Sequence, residues 1–190
     1  QKLQEEGIIN AGEITLASSR DEIAFGENGR AGIPVSLRAT YYYIGYFDLG
    51  RYHITTQKSE KIENYALRLR ELIYLVKYRT GAKKVNIIAH SMGSVIAYDA
   101  LWELTHIENY PGRIDLLLTI GSPLGMRFTQ KRLHGAREKG ARCYPHNIRR
   151  WTNMAAQGDL TALDPTLRDD YRPMLELGLT EALTDVNGGV

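Results

Sequence analysis

With one cysteine, Cys143, the chain can form no internal disulfide, which excludes the small stapled folds of oxidising compartments. It has no apolar run long enough to span a bilayer, so no transmembrane segment is expected. It has almost no excess of charge, +2 over 190 residues, and no aromatic-interleaved basic motif, which argues against a nucleic-acid partner. Repeats, low-complexity tracts and Pro/Gly/Ser linkers are missing too, so nothing divides the chain, and residues 1–190 read as a single domain with 1–34 its least defined part. The opening Gln-Lys-Leu-Gln-Glu-Glu lacks both an initiator methionine and the basic-then-apolar layout of a signal peptide, so an excised piece is expected. Cytoplasm is the expected compartment, with secretion of a cysteine-poor protein left open. What is present is 43% apolar residues, enough for one sizeable core.

Hydrophobic periodicity supplies the elements. Glu13–Leu16, Glu22–Phe25 and Val35–Tyr43 read as strands. From Ser59 to the helix-stopping Gly81, the apolar positions Ile62, Ala66, Leu69, Ile73 and Val76 recur at helical spacing. Val85, Ile87, Ile88 and Ala89 form a short β-branched run, expected to be a strand covered on both faces. Val95–Leu104 reads as a helix, Ile114–Ile120 and Trp151–Ala156 as strands. Strands alternating with helices imply an α/β fold, a mostly parallel sheet with helices on both faces, whose ligand site lies at the carboxyl ends of the strands.

The sharpest feature is Ala89-His90-Ser91-Met92-Gly93, set between that strand and that helix. A serine at so abrupt a turn exposes its hydroxyl, and Gly93, lacking a Cβ, is expected to let the helix lie close against the strand. This is the layout of a nucleophile elbow, Gly-x-Ser-x-Gly, with Ala89 in place of the first glycine. The Met92 amide follows the serine and is the expected oxyanion donor.

On these residues the chain resembles the lipases and esterases of the α/β-hydrolase superfamily, most closely the bacterial type written Ala-His-Ser-Met-Gly. Thr80-Gly81-Ala82-Lys83-Lys84, Gly121-Ser122-Pro123-Leu124-Gly125, Trp151-Thr152-Asn153, Gly158-Asp159-Leu160 and Leu163-Asp164-Pro165 extend the resemblance over about residues 35–190. It implies a hydrolase of carboxylic esters, plausibly of lipids, working through an acyl-enzyme at Ser91, with Asp159 as the acid that orients the base and Asp164 as its rival. It implies no metal and no cofactor. In such families the histidine follows the acid, yet His53, His90, His106, His134 and His146 all precede Asp159. The ending Thr184–Val190 resembles the stretch just before that histidine, which is therefore expected just beyond Val190, with the fold truncated at one or both ends. The second oxyanion donor is unplaced, Ile23–Gly29 being a degenerate possibility. The alternatives are a non-catalytic binding module that lacks the base, and an acyltransferase that uses the same serine.

Between Met126 and Arg150 stand eight basic side chains and one acid, Glu138. A solvated crossover helix is the expected explanation; a patch that greets anionic headgroups, with peripheral membrane contact, is the other. If a lid exists, Gly125–His146 is its expected place. His134 and His146 read as surface residues, and the cluster Tyr41, Tyr42, Tyr43, Tyr46 as packing.

Overall fold

A computed structural model of the protein describes residues 9–14, 35–39, 44–48, 51–55, 69, 73, 84–156 and 164–188. Strands β1 (Ile9–Ile14) and β2 (Val35–Ala39) pair in parallel. Strands β3 (Ile44–Asp48) and β4 (Arg51–Thr55) form an antiparallel hairpin across Leu49-Gly50. The expected strand Glu13–Leu16 thus starts earlier, at Ile9, while residues 15–16 and 40–43 of the expected strands, the strand Glu22–Phe25, most of the helix 59–81 and Ile23–Gly29 lie outside the described residues. Leu69 and Ile73 are helical.

The structure that positions the site is a parallel sheet of β5 (Asn86–His90), β6 (Ile114–Ile120), β7 (Ile148–Ala156) and β8 (Ala182–Gly188), in that spatial order. Register is even: His90 lies opposite Ile120, Ile120 opposite Met154, and Met154 opposite Val186. All four carboxyl ends therefore finish along one edge, and whatever follows each strand emerges there.

Helix α1 (Met92–His106) packs on the sheet face that carries Ala89, Leu117, Trp151 and Leu183. Its apolar run Val95-Ile96-Ala97-Tyr98 and Leu101 and Leu104 are buried on nearly every side, as befits a central rather than an amphipathic surface helix. It ends as the Ile107 amide reaches the Glu103 carbonyl, Asn109 turns left-handed at φ 48°, and Pro111 forbids continuation. Tyr98, Trp151 and Tyr171 form an aromatic triangle at the heart of the core, with ring centroids 4.9–6.0 Å apart. Burial pushes both tyrosine hydroxyls well above their ordinary range, so they stay neutral donors.

Two expectations change here. β5 is not covered on both faces by described residues: Ile88 is 62% exposed, because α1 packs on the Ala89 side only. The basic segment is not a crossover helix. It folds as a 3-10 turn (Pro123–Gly125), one helical turn α2 (Arg127–Gln130) and a second 3-10 turn (Gly140–Cys143), since Gly135 and Gly140 adopt positive φ and interrupt any helix. Before β8 comes α3 (Arg172–Glu176), with Pro173 in its first turn.

His134 and His146 are not free surface residues. The segment 126–147 is pinned along α1: Trp102 Nε1 donates to the Arg142 carbonyl, the His134 amide to Asp99 Oδ1, and the His146 amide to Thr105 Oγ1. His106 Nε2 sits 2.8 Å from the Tyr144 carbonyl and His146 Nε2 2.8 Å from that of Ala141. A carbonyl only accepts, so each of these nitrogens carries its proton. The His134 ring lies 3.7 Å from Glu103.

Candidate active site

Ser91 occupies the single residue between β5 and α1, with φ 50° and ψ −128°. That backbone conformation, normal for glycine at the first corner of a type II′ turn, is strained for any residue with a Cβ, and strain of this kind concentrates at functional turns. Two backbone hydrogen bonds hold it: the Ser91 amide donates to the Ile120 carbonyl at 2.9 Å, and the Ser94 amide to the Ser91 carbonyl at 3.0 Å. Its hydroxyl has no hydrogen-bond partner among the described residues. Met92 is the first residue of α1, so its amide has no intrahelical acceptor and faces out of the helix start beside Ser91.

The strain falls on the serine and not on Gly93. A Cβ added at Gly93 would meet nothing within 4 Å, so the expected close approach of helix to strand at that position is not what makes the turn.

A buried hydroxyl chain fastens the elbow to the end of β6. Ser94 Oγ donates to the Ser91 carbonyl at 2.6 Å, which uses the one proton Ser94 has. At 2.7 Å from it, the Ser122 hydroxyl must then be the donor to Ser94 Oγ, and Ser122 Oγ in turn accepts the Leu124 amide at 3.2 Å. Ser94 and Ser122 are buried, and each keeps its hydrogen bonds satisfied only while the other is present. Ser94→Ala is expected to slow covalent capture of Ser91 by about 3- to 10-fold, the worth of one net hydrogen bond, read as the rate of mass gain with a fluorophosphonate. An unchanged rate would mean the backbone bonds alone fix the turn.

Of the two carboxylates expected near the serine, Asp159 lies outside the described residues. Asp164 is described, and it abuts the 3-10 turn after β6: a Cβ on Gly125 would come within 2.8 Å of the Asp164 carbonyl and 2.9 Å of its Cβ, so only glycine fits there. Its Oδ1 accepts from both the Thr166 amide, at 3.2 Å, and the Thr166 hydroxyl, at 3.1 Å. Asp164 therefore closes an Asx turn around Pro165 rather than starting a helix.

The polar residue that sequence reading missed is Asp185. Its Oδ1 accepts the Leu167 amide at 2.9 Å and Asn153 Nδ2 at 3.2 Å, and its Oδ2 accepts the Arg168 amide at 3.0 Å. Asn153 Nδ2 also reaches the Pro165 carbonyl, Asn153 Oδ1 accepts from Thr119, and Thr119 accepts from Trp151 Nε1. This chain of side chains ties the loop that leads out of Asp164 to three neighbouring strands. The signal was available: Thr119, Asn153 and Asp185 are polar residues at positions whose neighbours along the strand alternate inward and apolar.

Among the described histidines, His106, His134 and His146 are engaged along α1 with the 126–147 segment. His90 is exposed on the sheet face opposite Ala89. No group of three or more His, Cys, Asp or Glu among the described residues is arranged to hold a metal ion, and no described helix is long and apolar enough to cross a membrane.

Residues 36–109, which include the elbow, match the family model of class 2 lipases. Among solved structures, the chain is similar to a candidate cell surface hydrolase from Lactobacillus plantarum WCFS1, at 15% identity and a TM-score of 0.46. The similarity covers 82% of this chain and 59% of that one, so this chain spans less than two thirds of that structure's length. No curated protein matches.

Proposed function

We propose that the chain is a lipase- or esterase-type α/β-hydrolase that cleaves carboxylic esters through a covalent acyl-enzyme at Ser91, a reading supported by its parallel sheet and by the match of residues 36–109 to the class 2 lipase model. The observation that carries this reading is the backbone of Ser91, a non-glycine residue at φ 50° with a helix start beside it and its hydroxyl without a hydrogen-bond partner among the described residues. In this reading Ser91 Oγ attacks the ester carbonyl carbon, a histidine takes the hydroxyl proton, and the Met92 amide receives the developing oxyanion. The alcohol leaves with that proton, and water then attacks the acyl-enzyme by the same route in reverse. Asp159 is the acid of choice because Asp164 already spends Oδ1 on its own turn. His106, His134 and His146 are occupied along α1, and the base is taken, as the resemblance implies, to be a histidine after the acid, which none of the five histidines of residues 1–190 is.

Intact-mass spectrometry after exposure to a fluorophosphonate tests this, with Ser91→Ala alongside and with free imidazole supplied in a parallel sample. A mass gain that vanishes in the variant supports the nucleophile. Absence of any gain, with imidazole or without it, would sink the proposal in favour of a binding module that keeps the fold.

A further inference from the structure

The basic segment divides into two unlike halves. Arg142 pairs with Glu138 at 3.3 Å, and Arg149 and Arg150 share Asp115, at 3.1 and 2.9 Å, with Arg149 also on Glu181 at 2.8 Å. Against the burial that would raise it, the bonds from Arg150 and Arg149 hold the Asp115 carboxyl below its ordinary range. By contrast Lys131, Arg132, Arg137 and Lys139 are all exposed and have no carboxylate within ion-pairing distance among the described residues. Three of them, Lys131, Arg132 and Arg137, line an open cleft of about 400 Å³ floored by Leu133. Arg127 is set aside, because Asp170 lies beside it.

Within the same turn stands Phe128, 59% exposed. Thr129 and Leu133 are buried, so α2 and the turn after it present Phe128 with Lys131 and Arg132, three and four residues on, as one outward face. A lone exposed aromatic needs no explanation by itself. One flanked by Lys131 and Arg132, which have no ion-pair partner among the described residues, has the makeup of an interfacial anchor: an apolar ring that enters the acyl boundary while the cations meet negative headgroups.

We propose that the turn from Phe128 to Lys139 docks the protein on an anionic lipid bilayer. The turn begins at the carboxyl edge of the sheet, directly after Ser122–Gly125, and runs from there along α1, so its Phe128 end is the end nearest that edge. That the docked protein then works on membrane esters rests on the reading of Ser91 given above; the docking itself does not.

The test is sedimentation of the whole chain with vesicles of phosphatidylcholine, with and without phosphatidylglycerol. Binding is expected only where phosphatidylglycerol is present. At about 1 kcal/mol per cation near such a surface, Lys131→Ala with Arg132→Ala should weaken it roughly 25-fold, whereas Arg149→Ala with Arg150→Ala, an equal change in net charge, should weaken it less than about 3-fold. Phe128→Ala should cost roughly 10-fold, and this loss should persist at high salt, where Coulomb terms are screened. Circular dichroism checks that each variant folds. Equal losses from the two double variants would overturn the proposal, since net charge alone would then be at work. So would competition by heparin together with indifference to Phe128→Ala, which would make the partner a soluble polyanion. Ser91→Ala should bind vesicles undiminished, so failed fluorophosphonate capture with intact docking would remove only the catalytic reading.

Discussion

Ser91→Ala and Ser91→Gly are both expected to abolish covalent capture and to lower ester hydrolysis by roughly 10⁴- to 10⁶-fold, the loss that follows removal of a serine nucleophile from a working triad. They are expected to part company in stability. Alanine keeps a Cβ, and with it the strain of φ 50° and ψ −128°, so its melting temperature should stay within about a degree of the parent. Glycine relieves roughly 1–3 kcal/mol of strain and gives back about 0.5–1 kcal/mol through the freedom it gains in the unfolded chain. The net gain of about 1 kcal/mol should raise the midpoint by roughly 2–4 °C for a chain of this size. A serine kept where glycine would be the more stable residue is held there for what its hydroxyl does. Should Ser91→Gly melt at or below the parent, the turn is not strained in solution and that reasoning fails.

Much of the frame was legible because it rests on burial. Ile114–Ile120 is a strand with the bounds its apolar run suggests, and a single residue, Ser91, stands between the expected strand and helix. These elements depend only on periodicity and on a local turn. What escaped depends on partners distant in sequence. β8 has an exposed Thr184, Val186 and Asn187 and looks like a tail until its pairing with β7 is known. The basic stretch looked like a solvated helix because its charges suit one, whereas the positive φ of Gly135 and Gly140 decides otherwise. The β3–β4 hairpin hid inside a tyrosine-rich run that reads as packing. At the site, Ser94 and Ser122 are ordinary residues for a helix start and a turn, and only the 2.7 Å between their hydroxyls makes them one device.

Asp185→Ala should be the most damaging change to the fold outside the apolar core. It leaves the Leu167 and Arg168 amides and one Asn153 N–H without their protein acceptor. Each orphaned donor costs about 1–3 kcal/mol, and part of that is recovered by water because Asp185 is only half-buried. A total of roughly 3–5 kcal/mol corresponds to a drop of about 10–15 °C in the melting midpoint. Asp185→Asn should fall between: its amide oxygen can still serve Leu167 and Asn153, but its NH₂ then confronts the Arg168 amide, donor against donor. The clamped loop runs back through Pro165 to Asp164, which stands five residues after the proposed acid Asp159 in the sequence. Asp185→Asn is therefore expected to slow fluorophosphonate capture even well below its melting temperature, and by more than Ser94→Ala does. If capture is as fast as in the parent while the midpoint falls, Asp185 supports the fold alone, and the acid that orients the base is held by something other than this loop.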